Sequence, residues 1–262
     1  MLMQHMRALC ILIACFAFHS NASAKQTLNL VGNIVATYID NHGQSARQIE
    51  LVNTILTDYP HNITATTQAW SGSGLRSGKF QGYIDHYSLN QNDDDYLYSK
   101  PYMQYELYIA SQYERVKTYS RLEQIARTRV GIENRFANTD MVRGDRLVSW
   151  ARAPSFYDNI KQLAEGRVDY IVADKAMIEE FNKLLKSIDE EPIHFSKAPV
   201  YVVDVTMGIA RSFSEANAVL AVFNQSLGKI QQSGKVASIL QPDEAESSLL
   251  DESIYMDILR KW

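Results

Sequence analysis

Hydrophobic residues along the chain alternate between two spacings. Apolar residues at every second position, or in short runs, predict strands, whereas apolar residues three or four positions apart predict amphipathic helices. The predicted strands are Thr27–Val35, Asn62–Thr67, Gln81–Asp85, Tyr105–Ala110, Arg129–Ile132, Val148–Ala151, Val168–Val172 and Val200–Ala210. The predicted helices are Ser45–Thr57, Ser71–Lys79, Ser155–Glu165, Lys175–Lys186 and one that follows Ser212. This alternation predicts an α/β protein with mostly parallel sheets, in which ligands bind at the carboxyl ends of strands.

The last predicted helix has the clearest expected boundaries. Ser212 and Glu215 stand three residues apart, which is the spacing of a capping box. Gly234 follows the last apolar residues of the stripe, and a glycine there can take the left-handed conformation that ends a helix. We therefore expect the helix to begin after Ser212 and to end before Gly234.

The first 24 residues predict an export signal rather than part of the fold. Arg7 precedes the apolar run 8–18, and the stretch ends in Ala22-Ser23-Ala24, as cleaved secretory signals do. The run is too short to span a bilayer comfortably. We expect cleavage after Ala24 and a periplasmic protein. An uncleaved anchor, or a lipoprotein anchored at Cys15, are the weaker alternatives.

Composition narrows the class of protein. The chain has 262 residues, 46% of them hydrophobic, two cysteines and a formal net charge of −4. These values disfavour a disordered chain, a disulfide scaffold and a nucleic-acid binder that neutralises phosphates. Both cysteines, Cys10 and Cys15, lie in the predicted leader. The mature chain must therefore be held together by its core alone.

Motifs of autonomous catalysis are missing from the sequence. It contains no phosphate-binding glycine loop, no Gly-x-Ser-x-Gly elbow and no pair of histidines at zinc-binding spacing. The acidic run 93–95 lacks the glycine and glutamate that a calcium-binding EF-hand needs, which favours a solvated loop. We expect neither a metal nor a cofactor.

Three stretches in order resemble the family 3 extracellular solute-binding proteins, which are the periplasmic receptors of polar amino-acid ABC transporters. They are Trp70–Phe80 with the strand that follows, Tyr98–Tyr102, and Ile160–Phe181. The spacing of the remaining elements is similar as well. The resemblance therefore covers nearly all of Gln26–Leu240.

The resemblance implies the type II periplasmic binding protein fold, with two α/β lobes and a ligand cleft between them. Lobe 1 is expected to comprise residues 25–109 and 204–262, and lobe 2 residues 110–203. Two hinge strands, near Tyr105–Ala110 and Tyr201–Met207, would cross between the lobes. Closure of the lobes around a ligand would allow a membrane partner to recognise the ligand-bound form.

The implied function is the binding of a small polar solute, amino-acid-like or amine-bearing, for delivery to an ABC permease. The protein would be a monomer and not an enzyme. One alternative is a sensor subunit that signals to a membrane kinase or cyclase. Another is a dehydratase-like enzyme, for which His86 with Asp85 is the nearest acid–base pair.

The expected pocket departs from the family pattern. The arginine that clamps the α-carboxylate in amino-acid-binding relatives is replaced by Asn92, or by Asp93 with a shift of one residue. The glycine-threonine turn of lobe 2 appears as residues 134–138. Asp174 stands where the ammonium-binding aspartate of the family stands. Its ordinary alternative is to cap the helix that begins at Lys175.

Two interpretations of the ligand remain open, beside a third in which the amino-acid site is lost and the scaffold serves signalling. In the first, Arg135 replaces the missing arginine from the opposite lobe, and the ligand is zwitterionic. In the second, Asp85, Asp93 and Asp174 make the cleft acidic and select a cationic or amine-bearing ligand. The predicted ligand-binding residues are Tyr38, Trp70, Asp85, Ser88, Asp93, Arg135 and Asp174. Ordinary alternatives are core for Trp70, surface loop for Tyr38 and a solvated cation for Arg135.

Overall fold

The computed structural model describes residues 25–40, 46–241 and 247–262. The predicted leader, with Cys15, lies outside the described residues. Within the described ranges, none of the helices is both long and apolar enough to cross a bilayer.

Ten strands and nine α-helices make up the described part of the chain. The strands are β1 (Leu28–Asn33), β2 (His61–Thr66), β3 (Gly82–Tyr87), β4 (Tyr96–Tyr98), β5 (Met103–Ser111), β6 (Arg129–Glu133), β7 (Ser149–Ala153), β8 (Tyr170–Asp174), β9 (His194–Phe195) and β10 (Tyr201–Ala210). The helices are α1 (Arg47–Ile55), α2 (Gln68–Arg76), α3 (Asn134–Ala137), α4 (Asp140–Gly144), α5 (Phe156–Ala164), α6 (Lys175–Ser187), α7 (Ala216–Gln232), α8 (Lys235–Leu240) and α9 (Glu252–Leu259). Two short 3-10 helices span Glu114–Thr118 and Leu122–Ile125.

The strands form one sheet in the order β2-β1-β3-β10-β5-β8-β6-β7, with β4 paired to β10 and β9 to β5. Two groups are parallel, β2-β1-β3 and β8-β6-β7. The long strands β5 and β10 join these groups and run antiparallel to each other and to their neighbours. The prediction of an α/β protein is confirmed. The expectation of a mostly parallel sheet is wrong at the centre, because β10 runs antiparallel to β3 and β5 runs antiparallel to β8.

Helix α5 and strand β8 form as the sequence pattern predicts. Ser155 caps α5 by accepting a hydrogen bond from the Asp158 amide, and the helix buries its apolar stripe. Gly166 follows with φ +65°, a left-handed conformation that costs glycine least. All five residues of β8 are buried. A near-continuous apolar run is typical of a strand that is covered on both faces.

The predicted capping box before α7 is wrong. The helix begins at Ala216, and no side chain caps its first turn. The Glu215 carboxylate instead accepts hydrogen bonds from the Gln26 amide at 3.0 Å and from the Tyr59 hydroxyl at 2.8 Å. Glu215 therefore fastens the beginning of the described chain to the helix. Gly234 has φ +74° and separates α7 from α8, as expected.

The C-terminal segment 247–262 packs away from α7 and α8. The ring of Tyr255 on α9 lies 5.6 Å from that of Phe181 on α6, and Trp262 lies 5.4 Å from the same ring. Asp257 accepts a hydrogen bond of 2.7 Å from Tyr157 on α5. Thus the chain returns at its end to helices within residues 110–203, whereas α7 and α8 contact α1.

Candidate ligand-binding cleft

A cleft of about 1210 Å³ opens at the carboxyl ends of strands β1, β3, β6 and β7. Its lining includes residues 33–37 after β1, 85–87 at the end of β3, 133–135 at the end of β6 and 154–157 after β7. Residues 249–251, 254 and 255 of the C-terminal segment line it as well. Ligands of open α/β sheets bind at this end of the strands. The cleft therefore lies where the sequence analysis expected the site.

Asp85 is the acidic group that β3 carries into the cleft. One of its oxygens, Oδ2, accepts hydrogen bonds from the Asn33 amide at 3.0 Å and from Asn33 Nδ2 at 2.6 Å. Burial raises the pKa of Asp85, and these hydrogen bonds act in the opposite direction. The carboxylate is thus held in a fixed orientation from one side.

Three side chains form an aromatic wall beside Asp85: Tyr83, His86 and Tyr98. The His86 and Tyr98 rings lie 4.4 Å apart, and the hydroxyls of Tyr83 and Tyr98 lie 3.2 Å apart. The Asp93 amide donates to the Tyr98 hydroxyl at 2.9 Å, which places this aspartate next to the wall. Burial lowers the pKa of His86, although its hydrogen bond to Asn92 opposes that shift. The wall is therefore neutral near pH 7, with an acid at its edge.

Arg135 lines the cleft, but its charge is already matched. Nε and Nη2 donate to the two carboxylate oxygens of Glu133 at 3.1 and 3.2 Å. The guanidinium also lies 4.5 Å from the ring centre of Tyr105 and 4.1 Å from that of Phe136. Burial acts to lower the pKa of Arg135, but Glu133 raises it well above the usual value. The alternative of a solvated loop cation is wrong, because the side chain is only 11% exposed.

Two buried polar atoms at this end of the cleft have no hydrogen-bond partner: Arg135 Nη1 and the Tyr87 hydroxyl. Burial raises the pKa of Tyr87 to about 12, and the nearby positive charge of Arg135 opposes that rise. A hydrogen bond from Arg135 also acts to lower the pKa of Tyr87, so the two groups lie next to each other although neither atom makes a well-aligned hydrogen bond.

Asp174 and Tyr38 lie outside the cleft lining and bind each other. Asp174 is only 3% exposed. Its Oδ2 accepts a hydrogen bond of 3.0 Å from the Tyr38 hydroxyl, and its Oδ1 accepts one of 3.3 Å from the Glu106 amide. Burial raises the pKa of Asp174 to about 6, although Arg135 and Tyr38 oppose the rise. Asp174 precedes α6 without capping it, and the buried Tyr38 is not a surface loop residue.

Trp70 and Ser88 also lie outside the lining. Trp70 is 72% exposed, so its alternative as core beneath α2 is wrong. The Ser88 hydroxyl accepts a hydrogen bond of 2.9 Å from the Asp204 amide and so holds β10 against the end of β3. Both residues neighbour the cleft in sequence without facing it.

The structure brings three of the seven predicted residues into the lining: Asp85, Asp93 and Arg135. Sequence reasoning missed Tyr83 and Tyr87, although these residues share the face of β3 with Asp85 at a spacing of two. That alternation was the available signal. No local signal marks Glu133 or the C-terminal segment, whose place in the lining depends on tertiary packing.

The described residues contain no group of three or more side chains that could hold a metal ion. His86 and Asp85, the acid–base pair of the dehydratase-like alternative, each form hydrogen bonds with other residues. His86 Nε2 is 3.1 Å from the Asn92 side-chain oxygen, while Asp85 is bound to Asn33.

Comparisons with known proteins identify the fold. No family model matches the chain, and no curated protein matches it by sequence. Among solved structures, the GluR0 ligand-binding core in complex with L-glutamate has a TM-score of 0.66 at 8% identity, over 82% of this chain and 97% of that one.

Two further solved structures are similar. The amino acid ABC transporter substrate-binding protein AbpA from Streptococcus pneumoniae, bound to L-arginine, has a TM-score of 0.59 at 13% identity, over 90% of this chain and 95% of that one. A histidine kinase sensor domain with similarity to periplasmic binding proteins has a TM-score of 0.61 at 15% identity, over 82% and 95%. The chain has the two-lobe periplasmic binding protein fold. The expected fold is thereby confirmed, and the resemblance to amino-acid-binding proteins holds at the level of the fold.

Proposed function

We propose that the protein binds a small polar solute in the cleft and delivers it to an ABC permease. The observation that carries the proposal is the cleft itself, about 1210 Å³ in volume and lined by polar side chains at the carboxyl ends of four strands. Small-molecule sites are commonly clefts of about 300–1,000 Å³ with a few convergent polar groups. This cleft has room for a small solute together with water.

The two strands that connect the parallel groups support a hinge. β5 and β10 pair through Tyr201–Val205 and Met103–Leu107 and are the link between the two halves of the sheet. A small change in backbone angles there would move one half relative to the other. Closure on the solute would present a new surface to the permease.

A thermal-shift screen over amino acids, amines, small acids and polyols tests the binding function. A solute at about 100 times its dissociation constant should stabilise the protein by about 2.7 kcal/mol. Asp85→Asn should weaken the response, because the cleft loses its oriented carboxylate. Asp94→Asn is the matched control, since Asp94 is exposed on a nearby loop and lies outside the lining. Absence of a shift with every class of solute would reject the function.

The second candidate is a sensor subunit, and the similarity to a histidine kinase sensor domain is the observation that favours it. Deletion of the protein from its native cell separates the two roles. A transport role predicts loss of uptake of the labelled solute at low concentration. Intact uptake with loss of a solute-induced transcriptional response would favour the sensor.

We propose that the protein acts without turnover of its solute. The separate bonding of His86 and Asp85 supports this. Mass spectrometry should recover a bound solute unchanged after long incubation. Chemical conversion that disappears in His86→Ala would favour the dehydratase-like alternative instead.

We propose a periplasmic location and a monomeric state. Fractionation of cells followed by N-terminal sequencing should place the protein in the periplasm, with Lys25 as its first residue. An N-terminus at Cys15 carrying lipid would favour the anchored alternative. Light scattering on the purified protein checks the oligomeric state.

A further inference from the structure

The charges of the cleft lining are strongly one-sided. Among the described residues that line it, Arg135 is the only lysine or arginine. The acidic lining residues are Asp40, Asp85, Asp93, Glu133, Asp140 and Asp251. Because clefts with low-dielectric walls concentrate the field of the charges around them, this lining attracts cations and repels anions.

Arg135 does not offset this excess of negative charge, because it already forms an ion pair with Glu133. The two side chains form a bidentate pair that is nearly shut off from water, with exposed fractions of 11% and 4%. The remaining nitrogen, Nη1, is buried beside the rings of Tyr105 and Phe136. A carboxylate could reach Nη1 only by displacing its surroundings. Among the described residues of the lining, no accessible lysine or arginine is therefore left to clamp a carboxylate.

The groups that face a ligand suit a cation. Asp85 offers a carboxylate, oriented by two hydrogen bonds from Asn33, to a group that donates N–H bonds. The aromatic wall adds ring faces and edges of the kind that accommodate ammonium and guanidinium groups.

We propose that the solute is a small organic cation, an amine or a guanidine, that carries no carboxylate beside its charged group. The inference rests on the proposed function and narrows it. Of the two interpretations of the ligand, it favours the acidic cleft that selects a cation. Asp85 and Asp93 contribute negative charge to the lining, whereas Asp174 lies outside it.

Calorimetry with matched series tests the proposal. Each series keeps one side chain and compares the decarboxylated amine, the amino acid and the deaminated acid. Suitable probes are phenethylamine, phenylalanine and 3-phenylpropionate; ethanolamine, serine and 3-hydroxypropionate; and isoamylamine, leucine and 4-methylpentanoate. In any series that binds, the amine should bind at least about tenfold more tightly than the amino acid, and the acid should not bind.

Two variants connect the preference to the cleft. Asp93→Asn removes the charge next to the aromatic wall but keeps a side-chain oxygen for the Asp95 amide, so it should leave the unfolding midpoint unchanged while weakening amine binding several-fold. Asp85→Asn should weaken amine binding more strongly, and Asp94→Asn should leave it unchanged. Because Asp85 also holds Asn33, Asp93→Asn keeps the test decisive if Asp85→Asn fails to fold. Unchanged amine affinity in Asp93→Asn would overturn the assigned role of the acidic lining.

The outcomes separate this inference from the proposed function. If an amino acid or a deaminated acid binds most tightly in its series, the solute is not a simple cation, but the binding function stands. If no member of any series binds and the broader screen is also negative, the binding function itself is rejected.

Discussion

Asp174 was predicted from the sequence resemblance to bind the ammonium group of a ligand. Its carboxylate instead accepts a hydrogen bond of 3.0 Å from the Tyr38 hydroxyl, and the residue is only 3% exposed and lies outside the cleft lining. A phenol can donate only one hydrogen bond, so this contact uses the donor of Tyr38 entirely. The pair therefore joins residues that lie far apart in sequence.

Replacement of Asp174 should change how stability depends on pH. Its folded pKa of about 6 exceeds the ordinary value of 3.8. Between these values the folded protein binds more protons than the unfolded chain, so stability falls as pH rises. In the native protein this group should remove about 3 kcal/mol of unfolding free energy between about pH 4 and pH 7. Urea unfolding of Asp174→Asn at several pH values should show a smaller decline. An identical decline in both proteins would contradict the prediction.

Gly82 should tolerate no side chain. A Cβ at this position of β3 would run into the Gly208 carbonyl oxygen on the paired strand β10. Gly82→Ala should therefore lower the free energy of unfolding by about 1–3 kcal/mol, as overpacking does. At Gly144 a Cβ would meet nothing within 4 Å, so Gly144→Ala is the matched control. Equal stability of the two variants in urea unfolding would count against this account.

At the residue scale, the sequence pattern indicated which residues stand near the site better than it indicated where their side chains point. Asp85 and Asp93 line the cleft, the first on β3, which the pattern predicted, and the second on the loop between β3 and β4. Trp70 matches a family motif but is 72% exposed, since the motif does not determine which face of α2 turns inward. The ion pair between Arg135 and Glu133 could not be predicted, because it depends on the conformation of the first turn after β6.

At the element scale, strands and helices with a strong hydrophobic periodicity were predicted correctly. All eight predicted strands and all five predicted helices correspond to elements of the structure, with shifted ends. The elements that were missed are β4, β9, α3, α4, α8 and α9, and all but α9 have six residues or fewer, which is too few to show a period. The capping box before α7 failed because tertiary contacts with Gln26 and Tyr59 took the Glu215 carboxylate.

Helix α9 should depend on one aromatic anchor. Tyr255 is 3% exposed and contacts Phe181 and Tyr157, whereas the neighbouring Ile254 is 57% exposed. Tyr255→Ala should cost about 3 kcal/mol of the free energy that holds the helix in place. Ile254→Ala, the matched control, should cost less than about 0.5 kcal/mol. Hydrogen exchange of the α9 amides should therefore accelerate in Tyr255→Ala alone, and protection that survives would contradict the anchoring role.

At the scale of the whole molecule, the alternation of elements predicted the α/β class, and the resemblance of three stretches to the family 3 solute-binding proteins predicted the two-lobe fold. The solute was not predictable, because its charge class depends on which side chains meet across the cleft. In the described part of the chain, six acidic side chains and one arginine, which is paired with Glu133, come together in the lining from separate strands, loops and the C-terminal segment. No local spacing in the sequence records that assembly.

Ionic strength should affect how fast the proposed cation arrives more than how fast it leaves. The chain carries a formal charge of −4, and exposed acids surround the cleft. Screening by salt weakens such long-range attraction. Stopped-flow binding of phenethylamine should show an association rate that falls by about tenfold between low and high salt, with a nearly constant dissociation rate. An association rate independent of salt would contradict steering by the acidic lining.

The position of β10 also has a consequence for the time course of folding. β3, at residues 82–87, receives its second neighbour only when residues 201–210 arrive, and β5 waits for the same strand. Pairings between such distant segments form slowly, because the entropy cost of closing a long loop comes before the contacts that compensate for it. The group β2-β1-β3 thus keeps an open edge until the chain is almost fully synthesised. For the exported protein proposed above, slow completion of the sheet would favour an unfolded chain while it crosses the membrane.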